Sequence, residues 1–437
     1  MPCARVVFRA GVARVGHLTP AETTVPFTSL VKPRLAEIIT SRGLQNARRG
    51  LHELGRRARG ARREVHYFHD ASDPYCSLTA QVLPAFEARY DLALRPHLIS
   101  GPPVEAVPDP KAHRENALKD ATRLAQKLGL DAPKAAGLPP EVNAHLAAHL
   151  GESDFAQHLK AISAAQWAGR DLPAGKQIDP TAAMHAGDQA LRAMGHYLGG
   201  TFYYGGEWYW GVDRLHYLED RLQNAGLGTG PLLVPPPELV FDCQAASKTV
   251  EFFFSFRSPY SYLAFDRVQH LAAQCNAELI LRPVLPMLMR GLPVPKAKSR
   301  YILQDCTREA RRLGIPFGRI RDPLGAGVER GYALFDYAES EGRMGAFCSA
   351  FMRSVWSEGV DAASDQGLSQ IVRTAGLDWA TARDELKSQT WRRRVEQNQN
   401  RLQELGLWGV PSFHVEGQSI WGQDRLWVLT DLLRSNG

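Results

Sequence analysis

No Cys-x-x-Cys pair occurs anywhere in the chain, and its six cysteines (Cys3, Cys76, Cys243, Cys275, Cys306 and Cys348) are widely scattered. This argues against a metal knuckle and a dithiol redox centre, and a reducing, cytoplasmic setting is the simpler reading. There is also no run of about 18 uninterrupted apolar residues, so no segment has the length and composition of a membrane-crossing helix. Acidic residues are missing from the start: none precedes Glu22, whereas Arg5, Arg9 and Arg14 do. Such a start resembles an organelle transit peptide, but Gly11 and Gly16 interrupt the pattern and no secretory apolar core follows.

What is present is the composition of a soluble globular protein, 44% hydrophobic and 22% charged. At 437 residues, two or three domains are expected. The net charge of +6 is concentrated at one end: residues 1–64 hold 13 lysines and arginines against four acids, so the remainder is mildly acidic. A nucleic-acid role for the whole protein is therefore not expected. Between Thr28 and Arg63, Leu30, Leu35, Ile38, Ile39, Leu44, Leu51 and Leu54 lie among many arginines, the pattern of one or two basic amphipathic helices. A helical extension packed on the body or on a neighbouring subunit is the plain reading; peripheral contact with anionic lipid or nucleic acid is the other.

Residues 249–263 organise the rest. Val250, Phe252 and Phe254 alternate with Glu251, Phe253 and Ser255, which predicts a strand buried on at least one face. From Tyr262, apolar residues recur at helical spacing, and Ser258-Pro259 fits as N-cap and first helical residue. Ser258 would then face unpaired backbone N–H groups at the positive end of a helix dipole, a place that stabilises an anion such as a thiolate.

A second copy of this element lies 185 residues earlier, with Asp73-Pro74-Tyr75-Cys76-Ser77 against Ser258-Pro259-Tyr260-Ser261-Tyr262. The same offset aligns Asp120-Ala121-Thr122-Arg123 with Asp305-Cys306-Thr307-Arg308. Near the end it has grown to 211, where Asp213-Arg214-Leu215 meets Asp424-Arg425-Leu426, so the second copy carries 26 extra residues in its helical middle. Each copy reads as strand, helix, strand, helical middle, hairpin and closing helix, which is the thioredoxin arrangement with a helical insertion. The fold class expected is α/β: two tandem thioredoxin-like domains, each with a helical insertion, plus a basic helical N-terminal extension. The boundaries expected are an extension over 1–63, a degenerate domain over 64–225, a Gly/Pro linker over 226–247, and the domain with the candidate site over 248–437.

Phe256-Arg257-Ser258-Pro259-Tyr260-Ser261-Tyr262-Leu263, Lys298-Ser299-Arg300-Tyr301, Gly409-Val410-Pro411-Ser412-Phe413 and Trp421-Gly422-Gln423-Asp424-Arg425-Leu426 together resemble the 2-hydroxychromene-2-carboxylate isomerases and kappa-class glutathione transferases of the DsbA-like thioredoxin superfamily. The resemblance covers roughly 249–433. It implies that Ser258 hydrogen-bonds the sulfur of glutathione and holds it as thiolate. It further implies that Pro411 is cis with Val410 pairing the cysteinyl backbone, that Lys298 binds a carboxylate of the tripeptide, and that Gln423 and Asp424 receive its γ-glutamyl end. Glutathione as cofactor, a small aromatic unsaturated carbonyl compound as substrate, and reversible thiolate addition follow from it, and a homodimer is also open. Two positions depart from the family: Ser255 stands where an Asp is usual, and no Asn precedes the Lys298 motif.

In the first copy Asp73, Gly200 and His113 replace Ser258, Pro411 and Lys298. A carboxylate at Asp73 would repel a thiolate, so this copy reads as a structural partner. Two other readings stand beside the isomerase or transferase: a glutathione-linked thiol-disulfide oxidoreductase or peroxidase using Cys76, and a non-catalytic binding or scaffold protein. Ser-Pro is a good helix start by itself, so capping alone also accounts for Ser258. Glu141, His145 and His149 share a helix face without a third ligand motif, and no metal is expected.

Overall fold

The computed structural model describes residues 27–134, 141–239 and 248–434. The segment resembling a transit peptide and residues 240–247 of the expected linker lie outside the described residues. Two four-stranded sheets repeat one topology. In the first, β1 (Glu64–His69) and β2 (Ala93–Leu98) run parallel, while β3 (Thr201–Tyr204) joins β1 antiparallel and forms a hairpin with β4 (Glu207–Trp210). In the second, β5 (Thr249–Phe254), β6 (Glu278–Pro283), β7 (Ser412–Val415) and β8 (Gln418–Trp421) take the same places. Even the register is conserved: Val65 pairs Leu94 as Val250 pairs Leu279, and His66 pairs Tyr203 as Glu251 pairs His414.

β5 is buried along nearly its whole length, on both faces. Phe252 and Phe254 pack with Phe265 of the helix Pro259–Gln274, while Phe253 packs on the opposite face with Leu402 and Leu407. Complete burial of each phenylalanine stabilises by about 2–3 kcal/mol relative to exposure. The buried Glu251 is tolerated because Arg282, Arg401 and His414 surround it. The strand ends where Ser258 caps the helix, its Oγ accepting from the Ser261 N–H at 3.1 Å, with Pro259 in the first turn.

The helices Phe27–Thr40 and Arg42–Ala58 form the described part of the N-terminal extension. Arg49 bonds Glu207 of the first copy, and Arg311 of the second bonds Gln45 and the Thr40 carbonyl. Arg56, Arg57 and Arg63 converge on Glu53. Part of the extension's positive charge is thus satisfied within the chain.

The copies meet across a pseudo-two-fold ion-pair cluster. Arg214 binds Asp305 with two N–H groups and Asp424 with a third; Arg425 joins the corresponding pair, donating to Asp120 from Nε and to Asp213 from both terminal nitrogens. Tyr75 donates to Asp120 as Tyr260 donates to Asp305. Among the described residues, no helix is long and apolar enough to cross a membrane. Cys275 is disulfide-bonded, a pairing that the scatter of cysteines did not reveal.

Candidate active site

A cavity of about 830 Å³ opens between the two copies. Ser258, Lys298, Val410, Pro411, Gln423 and Asp424 all line it. So do Tyr75, His113, Arg123 and Trp210 of the first copy, and Lys32 and Ala36 of the first extension helix. The sequence reading confined the site to the second copy and missed these walls, because no local pattern records which surfaces face each other.

Ser258 is half-buried at the cavity wall. Its hydroxyl donates to the Val410 carbonyl at 3.3 Å while accepting from Ser261, so it caps the helix and faces the cavity at once. Among the described residues no acceptor meets the N–H of Tyr260, which leaves a main-chain donor beside the hydroxyl. The Val410–Pro411 peptide bond is cis. The Val410 carbonyl is engaged by Ser258, and the Val410 N–H has no partner among the described residues.

Lys298 donates to the Ala106 carbonyl at 2.9 Å and stands 5.1 Å from the Trp408 ring centre. Burial lowers its pKa to about 8. Gln423 and Asp424, expected to act together, are separated in role. The Gln423 amide is used up on Arg267 and Glu309, and the residue is 1% exposed, so its side chain does not offer itself to a ligand. Asp424 receives Arg214 on Oδ2 at 2.8 Å. Burial alone would raise the Asp424 pKa, but Arg425 and Arg214 outweigh it and hold the carboxyl below its ordinary range.

The first copy closes the equivalent place. Gly199 lies so near Asp70 and Cys76 that an added Cβ would come within 2.7 and 3.1 Å of them. Gly200 has φ +66°, which a proline ring forbids, and its N–H donates to the Phe68 carbonyl. Asp73 caps its helix through the Tyr75 N–H; burial and then Asp70 push its carboxyl up to about 7. Cys76 is fully buried, and burial followed by Asp73 and Asp70 raises its thiol well above the usual range. Its complete burial suits a packing residue. His113, at the position of Lys298, is kept neutral by burial and then by Lys298 and Arg114, with a pKa of about 4.

The histidines of the earlier helix-face pattern part company. His145 bonds the Glu141 carbonyl, while His149 stacks on His158 and meets Glu152. Among the described residues, His149, Glu152 and His158 bring three ligand-type atoms within 4.8 Å of one another, away from the cavity.

Residues 249–434 match the family described as DSBA-like thioredoxin domain. Relatives of this chain include proteins named as isomerases and transferases. The 2-hydroxychromene-2-carboxylate isomerase of Sphingobium xenophagum is 25% identical over 195 residues, 43% of this chain and 98% of the relative. Glutathione S-transferase kappa 1 of Rattus norvegicus is 25% identical over 210 residues, 43% of this chain and 92% of the relative. A solved structure of 2-hydroxychromene-2-carboxylate isomerase aligns with 42% of this chain and 94% of its own, at 25% identity and a TM-score of 0.38.

Proposed function

We propose that the chain is a glutathione-dependent isomerase or transferase acting on small unsaturated aromatic carbonyl compounds, with Ser258 as the residue that holds the sulfur. The observation that carries this is the Ser258 hydroxyl, facing the cavity beside the open Tyr260 N–H and the Val410 main chain. The residues fit the tripeptide. Asp424, kept ionised, suits its α-amino group; Lys298 suits a carboxylate; the Val410 N–H suits a peptide carbonyl. When bound, glutathione supplies a thiolate that adds reversibly to a double bond conjugated to a carbonyl, so that bond rotation and loss of the same thiol rearrange the substrate without net consumption. Ser258 donates its proton as a hydrogen bond to the sulfur in place of the long bond to Val410, favouring the charged form.

Titration calorimetry with glutathione tests the binding, and turnover of a chromene carboxylate by Ser258→Ala tests the role. We expect kcat to fall roughly hundredfold, as for loss of one donor to a developing anion. Loss of the helix cap should cost about 1 kcal/mol of stability. No glutathione binding at millimolar concentration, or full turnover by Ser258→Ala, would sink the reading.

A further inference from the structure

The cavity is lined by nine lysines and arginines against five aspartates. Each of those aspartates is already bound to an arginine, as Asp424 is to Arg214 and Asp120 to Arg425. The charge left over is positive. Lys32 and Lys119 carry part of it on exposed ends, where water and salt screen it.

Arg290 is different. It follows β6, in the stretch where the family's asparagine has no counterpart. Its Nη1 donates to the Trp408 carbonyl at 3.0 Å, which fixes the guanidinium plane at the cavity wall. Its Nε is buried with no acceptor, and the indole N–H of Trp408 is buried with none either. No carboxylate pairs with Arg290 among the described residues, and burial lowers its pKa. A guanidinium drawn partly out of water without a counter-ion is costly to the folded chain. Such a cost is recovered when a ligand brings the missing acceptor, and a planar carboxylate matches the guanidinium fork.

We propose that Arg290 binds a carboxylate of the ligand held in this cavity, at a second anionic subsite beside Lys298. Trp408 separates the two: Lys298 lies over its ring and Arg290 grips its carbonyl. The proposal rests on the cavity being the ligand site, as the functional reading above requires, but not on the ligand being glutathione. The carboxylate can belong to the glycyl end of the tripeptide or to the electrophile.

Calorimetry on the full chain and on Arg290→Gln distinguishes these sources. Four probes are needed: glutathione and its glycyl monoethyl ester, trans-cinnamate and methyl cinnamate. We expect Arg290→Gln to weaken one charged probe about tenfold or more, the effect of losing a charge-assisted hydrogen bond, and to leave its ester unchanged. Glutathione responding assigns the subsite to the tripeptide; cinnamate responding assigns it to the electrophile. Arg290→Lys, which keeps the charge, should retain most of the affinity and guards against a folding defect in the first variant. Equal effects on acid and ester, no effect on any probe, or no binding of any probe by the unaltered chain overturns the proposal. Loss of the glutathione reading alone looks different: the unaltered chain ignores glutathione, while its cinnamate binding still depends on Arg290.

Discussion

Arg214 of the first copy donates to Asp424 of the second at 2.8 Å, while its other N–H groups grip Asp305 at 2.9 Å. The copy that has lost the residues of the candidate site still supplies the cation that keeps one of them charged.

Replacing Arg214 by Leu should therefore do two things. Asp305, 1% exposed, would be left without its principal partner, and breaking a buried pair costs about 3–5 kcal/mol. Asp424 would also lose one of the two arginines that hold it ionised, so glutathione affinity should fall. Urea unfolding reads the first effect and calorimetry the second. A stability change below about 1 kcal/mol would show that the cluster is not a structural tie.

The binding of a carboxylate by Lys298 should depend on pH. The amine is cationic below its folded pKa of about 8 and neutral above it. Affinity for S-methylglutathione, which has no titrating thiol, should decline as pH rises through that value, and Lys298→Met should flatten the profile. The folded pKa lies below the ordinary lysine value of 10.5, so burial of Lys298 costs least at high pH. Its contribution to stability should improve from pH 8 to 10.5 and worsen as pH falls through 8. Calorimetry across pH 6–10 and parallel denaturation curves check both signs.

Asp73 carries the opposite sign. Its folded pKa of about 7 exceeds the ordinary 3.8, so its contribution to stability is fully present below 3.8 and is lost as pH rises through 7. Asp73→Asn, which keeps the acceptor for the Tyr75 N–H, should match the unaltered chain near pH 3, below the ordinary value of 3.8, and be more stable at pH 8. Denaturant midpoints at the two pH values measure this, and an equal shift at both would rule out titration of Asp73 as the cause.

Much of the architecture was legible in the sequence, because a strand running into Ser-Pro and a constant offset between copies are local patterns. The double-sided burial of β5 was not, since Phe253 reads like its neighbours until the helix Thr390–Glu404 packs on it. Gln423 shows a second limit: adjacency to Asp424 says nothing about which side chain finds a partner, and Arg267 and Glu309 come from distant elements. The walls given by the first copy were equally hidden. The persistence of Asp213-Arg214 in a copy that had otherwise drifted was the available signal, and its meaning emerged only with Asp305 and Asp424 around it.

The pseudo-two-fold cluster has a kinetic side. Both faces of the cleft travel on one polypeptide, so they come together in a unimolecular step whose equilibrium does not depend on protein concentration, and the pocket persists at any dilution. Covalent linkage also means that a substitution on one face is not copied onto the other. Ser258 and Asp73 could diverge within a single molecule, one kept open and the other sealed.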